Sequence, residues 1–381
     1  MSVTVITDTA LLGEFCTRWA QDSYITVDTE FLREKTYFPL LCLIQVAGSE
    51  DAAVIDPLAE GLSLEPLLAL MRNKNVLKVF HAGSQDLEIF YHLMQELPAP
   101  LYDTQIAAMV CGFGEQVGYE SIVQQLLGQS LDKSQRFTDW SLRPLKPEQL
   151  LYALADVTHL RDVYDRLNAQ IVKNERESWI YEELATLSDP EKYITHPEEA
   201  WLRLRPRERR PHYLARLKAL AQWREEEAIR QNKPRGWILN DDALQEIAQT
   251  NPVTEAALRR GRTIKKHLGD LDLKLLALLI EGANTLPTHQ CPRLPDKKHV
   301  ASDQDSTRDL LKVLLKLKCQ EHNVAPRLVA MADDLNDFLL GNPVPFTKGW
   351  RYEVFGMAAE ALLGGKVALA VDASTRSIKV V

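Results

Sequence analysis

The chain has 381 residues, 45% of them hydrophobic and 26% charged, with a net charge of −8. That length and mixture suit two or three globular units and exclude a disordered or fibrous chain. No apolar run is long enough to cross a membrane, and Met1-Ser2-Val3-Thr4 lacks the basic-then-apolar order of a signal peptide. The five cysteines (Cys16, Cys42, Cys111, Cys291, Cys319) are odd in number and form no Cys-x-x-Cys pair. They argue against a disulfide framework or a zinc site and predict a reducing, cytoplasmic setting.

Strand-like and helix-like segments alternate from Val3 to about Gln170, which predicts an α/β domain. The stretch Ile25-Thr26-Val27-Asp28-Thr29-Glu30-Phe31 reads as a β-strand. Alternation puts Asp28 and Glu30 on one face and Val27, Thr29 and Phe31 on the other. Two carboxylates roughly 6–7 Å apart along a strand repel one another. They need a compensator, either water on an edge strand or a divalent cation held by hard oxygen ligands.

Next, Leu40 to Val46 and Ala53 to Asp56 read as two further strands of an antiparallel meander. A helix from Leu64 to Met71 and a strand from Val76 to Phe80 follow. In His81-Ala82-Gly83-Ser84-Gln85-Asp86-Leu87-Glu88 the glycine makes a turn and Ser84 is placed to cap a helix through Tyr91. Asp86 then lies in a first helical turn, where it could complement the helix dipole or join a site at a strand's carboxyl end. Asp103 follows a short strand and is read as structural.

Pro147 suits the first position of a helix that carries Leu150, Leu154 and Val157 as one stripe, predicted to face the sheet. Tyr152 and Asp156, four residues apart, share another face and make either a surface pair or the rim of a cleft. Asp162 and Asp165 read as solvated positions of the same helix.

Asp28-x-Glu30, Asp86 and Tyr152-x-x-x-Asp156, in that order, resemble the three motifs of the DEDDy group of 3′-to-5′ exonucleases. The surrounding Val27-to-Phe31, Leu43-Ile44-Gln45, His81-to-Leu87 and Asp103-Thr104-Gln105 resemble the ribonuclease D family, over roughly Val3 to Gln170. The resemblance implies a ribonuclease H-like α/β domain, a mixed sheet flanked by helices, over 1–170. It implies hydrolysis of RNA 3′ ends to nucleoside 5′-monophosphates, with trimming of tRNA precursors, and a monomer with no membrane partner. It also implies two divalent ions, Mg²⁺ or Mn²⁺, with Asp28, Glu30 and Asp156 as ligands and Asp28 bridging. Asp86 would help to hold the second ion through water, and Tyr152 would act on the attacking water. His159, three residues after Asp156, does not match the position of the sister group's histidine and is given no role. Phe31 and Gln45 are candidate contacts to the terminal nucleotide.

Beyond Gln170 the composition changes. Residues 201–240 carry 11 Lys and Arg against 4 Glu, a local balance of +7 in an acidic chain. A helical and basic linker is expected over 171–210, with Arg203, Arg205, Arg207, Arg209 and Arg210 as a phosphate-binding patch. Leu217-to-Trp223, Arg224-Glu225-Glu226-Glu227 and Lys233-to-Leu239 resemble the HRDC module, expected over 211–290. A second, more divergent HRDC-like bundle is expected over 300–381. Trp223, Trp237 and Trp350 serve either as stacking platforms or as helical core. A 3′-to-5′ DNA exonuclease would need the same carboxylates. A non-catalytic RNA-binding protein on this fold would show a lost carboxylate, and none is lost.

Overall fold

A computed structural model describes residues 3–132, 134–261, 268–294 and 304–381. Two compact units emerge: Met1–Glu30, Leu41–Tyr193 and Lys298–Val381 form one, and Phe31–Leu40 with Ile194–Lys297 form the other.

In the first unit, β1 (Thr4–Ile6), β2 (Tyr24–Leu32), β3 (Leu40–Ala47), β4 (Ala52–Ile55), β5 (Leu77–Phe80) and β6 (Leu101–Asp103) make a mixed sheet in the order β1-β4-β3-β2-β5-β6. β3 and β4 are antiparallel, whereas β1 runs parallel to β4, and β5 parallel to both β2 and β6. The meander is therefore extended on both sides by parallel strands. β2 stands inside the sheet with neighbours on both edges. Its β-branched and aromatic residues suit such a position, and its carboxylates are held in place by paired backbone.

The helices are α1 (Thr9–Trp19), α2 (Glu65–Arg72), α3 (Ser84–Met94), α4 (Thr104–Val110), α5 (Tyr119–Leu127), α6 (Pro147–Lys173) and α7 (Glu177–Leu187). Asp8 caps α1, its carboxylate accepting the Leu11 N–H at 2.9 Å. α6 starts with Pro147, and the Gln149 side chain turns back to accept the Lys146 N–H at 3.0 Å. Its buried stripe runs through Ala153, Asp156, Val157, Leu160, Val163, Leu167 and Ile171. Leu150 and Leu154 are only half-buried, so the stripe predicted from the leucines is rotated and Asp156 faces inward. Asp165 is not merely solvated, because it accepts the Tyr24 hydroxyl at 2.8 Å.

The unit does not end near Gln170. Ile180, Leu184 and Tyr193 are buried in the same core as the sheet, so 171–193 is catalytic-unit structure and not a linker. The C-terminal region contributes α13 (Asp305–Glu321). It continues with α14 (Pro326–Val329), α15 (Ala332–Leu339), α16 (Gly349–Arg351), a π-helical turn over Tyr352–Gly356 and α17 (Met357–Leu363). A small antiparallel pair closes the chain, β7 (Leu369–Val371) with β8 (Ile378–Val380). This region docks on α4 and α7. Ala325 N–H donates to Met109 O at 2.9 Å, Asn323 Nδ2 to Cys111 O at 3.0 Å, and Trp179 stacks on Trp350 with centroids 4.4 Å apart.

The second unit is helical: α8 (Pro211–Gln231), α9 (Arg235–Ile238), α10 (Asp241–Thr250), α11 (Glu255–Arg259) and α12 (Asp270–Thr285). Its core collects Trp201, Leu204, Leu217, Trp223, Leu244, Leu276 and Ile280. Tyr37 joins that core, and its hydroxyl donates to buried Glu225, which also pairs with Arg235. The Asn232 side chain accepts the N–H groups of Tyr37 and Phe38 at 3.1 and 3.0 Å. The expected start of the C-terminal bundle near residue 300 lies outside the described residues.

Candidate active site

Three acidic side chains meet beside β2. Asp28 and Glu30 from β2 and Asp156 from α6 offer carboxylate oxygens that all lie within 4.8 Å of one another. Alternation along β2 supplies the first two. The third arrives because α6 crosses the sheet here: Thr26, two residues before Asp28, donates its hydroxyl to Val157 O at 2.7 Å. A single hydrogen bond thus ties the catalytic strand to the helical turn that carries Asp156.

Asp86 reaches the site by a longer chain of causes. The Asp103 carboxylate accepts the N–H groups of Gly83 at 2.8 Å, Ala82 at 3.2 Å and Gln105 at 2.7 Å, so it caps α4 and clamps the turn before α3 together. Gly83 is required in that turn, since a Cβ there would sit 2.6 Å from Phe80 Cβ. Ser84 is the first residue of α3 and supplies no side-chain cap; Gly83 is the boundary. Asp86, two residues on, is 7% exposed and accepts the Thr29 hydroxyl. Thr29 was the residue that alternation assigned to the opposite face. Within β2 it holds the carboxylate of Asp86.

Burial and crowding make full ionisation expensive. Burial first, then the charges of Asp86, Asp156 and Glu30, push Asp28 well above the ordinary carboxylate range. Burial and the charges of Asp156 and Asp86 raise Glu30 to about 9. Burial lifts Asp86 to about 7 despite the Thr29 hydrogen bond, and Asp156 to about 7 despite a hydrogen bond from Tyr152. At an effective dielectric of about 20, each like-charge pair about 4 Å apart costs about 4 kcal/mol before any cation is counted. At neutral pH that cost is relieved either by protons, which the raised pKa values favour, or by bound cations.

A cleft of about 450 Å³ opens beside the cluster, lined by Asp28, Tyr152 and Asp156 and by His81, Tyr119 and Arg136. Tyr119 donates its hydroxyl to Ala155 O at 3.2 Å, bracing α6 one residue before Asp156. His81 bonds Thr104 Oγ1 at 2.9 Å and Val117 O at 3.2 Å, and burial lowers its pKa. Tyr152 packs its ring 6.1 Å from that of Trp140, and burial with the nearby carboxylates raises its phenol.

The remaining candidates are not in this cluster. Gln45 is fully buried in β3 with neither amide atom hydrogen-bonded, so it has no surface to offer a nucleotide. Phe31 is half-buried at the end of β2 and falls in the segment grouped with the second unit. His159 bonds its own helix at Ala155 O, 2.8 Å. The basic run is exposed but partly compensated: Arg207 pairs with Asp242, Arg210 with Glu208, and Arg203 lies 3.9 Å from Glu225. Trp223 and Trp350 fill cores, and Trp237 is 55% exposed.

The comparisons agree with this geometry. A family described as 3′-5′ exonuclease matches residues 3–172, and the HRDC domain matches residues 213–270. A ribonuclease D of Jannaschia sp. is 47% identical over 99% of this chain and 98% of its own length. The chain belongs to the ribonuclease D family. A ribonuclease D of Zymomonas mobilis is 46% identical over 97% of this chain and 96% of its own. The crystal structure of Escherichia coli RNase D, described as an exoribonuclease involved in structured RNA processing, superposes with a TM-score of 0.77. It is 30% identical and covers 96% of this chain and 99% of that one. The chain is a 3′-5′ exoribonuclease with an α/β exonuclease domain, an HRDC domain and a helical C-terminal region. Among the described residues no helix is long and apolar enough to cross a membrane.

Proposed function

We propose that this enzyme trims RNA 3′ ends by two-metal-ion hydrolysis, with Asp28, Glu30 and Asp156 as the residues that would hold the ions. Asp86, oriented by Thr29, would hold the second ion through water. The donor set fits such ions: three carboxylates, hard oxygen donors, converge where their own charges repel, and the charge of Asp86 adds to theirs. When bound, Mg²⁺ or Mn²⁺ would acidify a water and neutralise charge on the attacking and leaving oxygens. The protein's own part is positional. Tyr152, whose phenol lowers the Asp156 pKa against the effect of burial, would orient the attacking water. Tyr119 and the Thr26–Val157 bond fix the register of α6, and so where Asp156 and Tyr152 stand relative to β2.

The single observation that carries this reading is the convergence of Asp28, Glu30 and Asp156 within 4.8 Å. The substrates we infer are structured RNAs with a single-stranded 3′ tail, tRNA precursors in particular, acted on by a monomer in the cytoplasm. Family membership and five buried free cysteines support that setting. We also assign the C-terminal region as a second, divergent HRDC-like module. Digestion of matched RNA and DNA oligonucleotides and a tRNA precursor, with Mg²⁺ and with chelator, tests the proposal. RNA should shorten from its 3′ end to 5′-monophosphates only with the ion. Faster loss of the DNA, or cleavage that survives chelation, would contradict it.

A further inference from the structure

The connector between α5 and α6 carries a cation and an aromatic ring that the reading above does not use. Arg136 lines the cleft together with Asp28, Tyr152 and Asp156. Its charge reaches the Tyr152 phenol and opposes the rise in that group's pKa. Yet among the described residues Arg136 makes no ion pair within 4.0 Å and no hydrogen bond; its one recorded contact is with the Phe137 ring, 5.3 Å from the guanidinium carbon. Phe137 is 91% exposed. An unpaired guanidinium beside carboxylates, next to a bare aromatic ring, is an arrangement that a folded chain does not need for its own stability.

The connector is held in place around these two residues. On one side the Asp132 side chain accepts the Ser134 N–H at 2.9 Å and its hydroxyl at 3.0 Å. On the other, Gln149 donates to Thr138 Oγ1 at 3.0 Å and Trp140 is 2% exposed. Arg143 then locks the end of the connector, donating to both Asp56 oxygens at 2.6 and 2.7 Å and to Cys42 O at 2.7 Å. Arg136 and Phe137 are presented from fixed supports. Arg136 forms no ion pair with the carboxylates that line the same cleft, which leaves its guanidinium available to a phosphate of a strand lying there.

We propose that Arg136 and Phe137 bind the nucleotide on the 5′ side of the scissile linkage, Arg136 its phosphate and Phe137 its base. Both are positioning residues that set the register of the 3′ end over Tyr152. This rests on the exonuclease reading and names where its substrate strand runs. The pair of functions matches single-strand recognition, in which a cation tracks the backbone and a ring stacks on any base.

Full-length enzyme with Mg²⁺ and a single-stranded RNA oligonucleotide supplies the test. R136Q should raise KM about tenfold or more with kcat within about twofold, since one charge-assisted contact is lost from ground-state and transition-state binding alike. R136K should recover part of the loss. F137A should also raise KM, and F137Y should restore it. In D156N enzyme, which binds without cutting, R136Q should lower the slope of log Kd against log salt by about 0.7. A neutral methylphosphonate at the linkage 5′ to the scissile one should weaken wild type but not R136Q further. Additive losses at that linkage, an unchanged salt slope, or a fall in kcat at constant KM would each overturn the proposal. Wild type that releases no nucleotide from the same RNA would instead overturn the exonuclease reading itself.

Discussion

Asp28 bears a heavy electrostatic load, because three other carboxylates raise its pKa on top of burial. Asp28→Asn should therefore separate catalysis from stability. Cleavage should fall by roughly 10²–10³-fold or more, the range seen when a group that stabilises transition-state charge is removed. The fold should gain stability when metal is absent. The sign follows from linkage. Glu30 titrates near 9 and Asp156 near 7 in the folded state, both above their unfolded values, so the folded protein binds more protons across that window. In chelator, the Tm of wild type should fall between about pH 5 and 9, and that of Asp28→Asn should fall less. Equal slopes by calorimetry would mean that the carboxylates do not repel as the geometry requires. Tyr152→Phe should lower single-turnover cleavage by about 10²-fold while RNA affinity changes little, as for a group that acts on the water. Normal turnover with weak binding would make Tyr152 a binding residue. That Asp28, Glu30 and Asp156 belong together was legible from their residue types and order. Thr29 was not, since a threonine in a strand is ordinary and its partner comes from α3, 57 residues later. Arg136 was equally silent: it sits in a connector with no periodicity to read.

At the scale of elements, site precision depends on β2, α3 and α6 being locked to one another. Thr29→Val keeps the side-chain shape and deletes the hydroxyl that Asp86 accepts. It should cost about 1–3 kcal/mol at most, the range for an unmet buried acceptor. It should slow cleavage roughly 10–100-fold, as expected for a partner that orients a metal-site carboxylate. A rate within twofold of wild type, measured at saturating Mg²⁺, would show that Asp86 needs no such guide. The pattern of α6 was misjudged from sequence because leucines were taken as the core face. In the structure Leu150 and Leu154 are only half-buried, and the inward stripe is Ala153, Asp156, Val157 and Leu160. A small alanine lets the helix approach the sheet closely enough for Asp156 to join β2's carboxylates. Hydrophobicity alone cannot reveal that an acidic residue belongs on the buried face.

At the scale of the whole molecule, the expected division at Gln170 gives way to a catalytic unit that extends to Tyr193 and includes the C-terminal region. The signal for this was weak in sequence, because Trp179, Ile180 and Leu184 sit in a polar helix and their partners lie far along the chain. A fragment ending at Gln170 would bare the core surface covered by Ile180, Leu184 and Tyr193. It should be insoluble or lack a cooperative melt. Trp350→Ala in the intact chain removes the Trp179 stack and a core residue of the C-terminal bundle, and should cost about 3–5 kcal/mol in denaturant unfolding. A loss under about 1 kcal/mol would mean that the bundle is only tethered. The HRDC unit was legible as helical and basic, but its arginines in the 203–210 run are partly occupied with Asp242, Glu208 and Glu225. Its contribution to RNA binding should be smaller than a count of charges suggests.

On the proposed mechanism the carboxylates of β2 and α6 hold the ions that drive hydrolysis. Anomalous diffraction from crystals soaked in Mn²⁺ addresses it directly. Two peaks about 3.5–4 Å apart, both touching Asp28, should appear in wild type and vanish or fall to one in Asp28→Asn. Peaks elsewhere in the chain, or none in crystals of an enzyme that still cleaves RNA in chelator, would contradict the account.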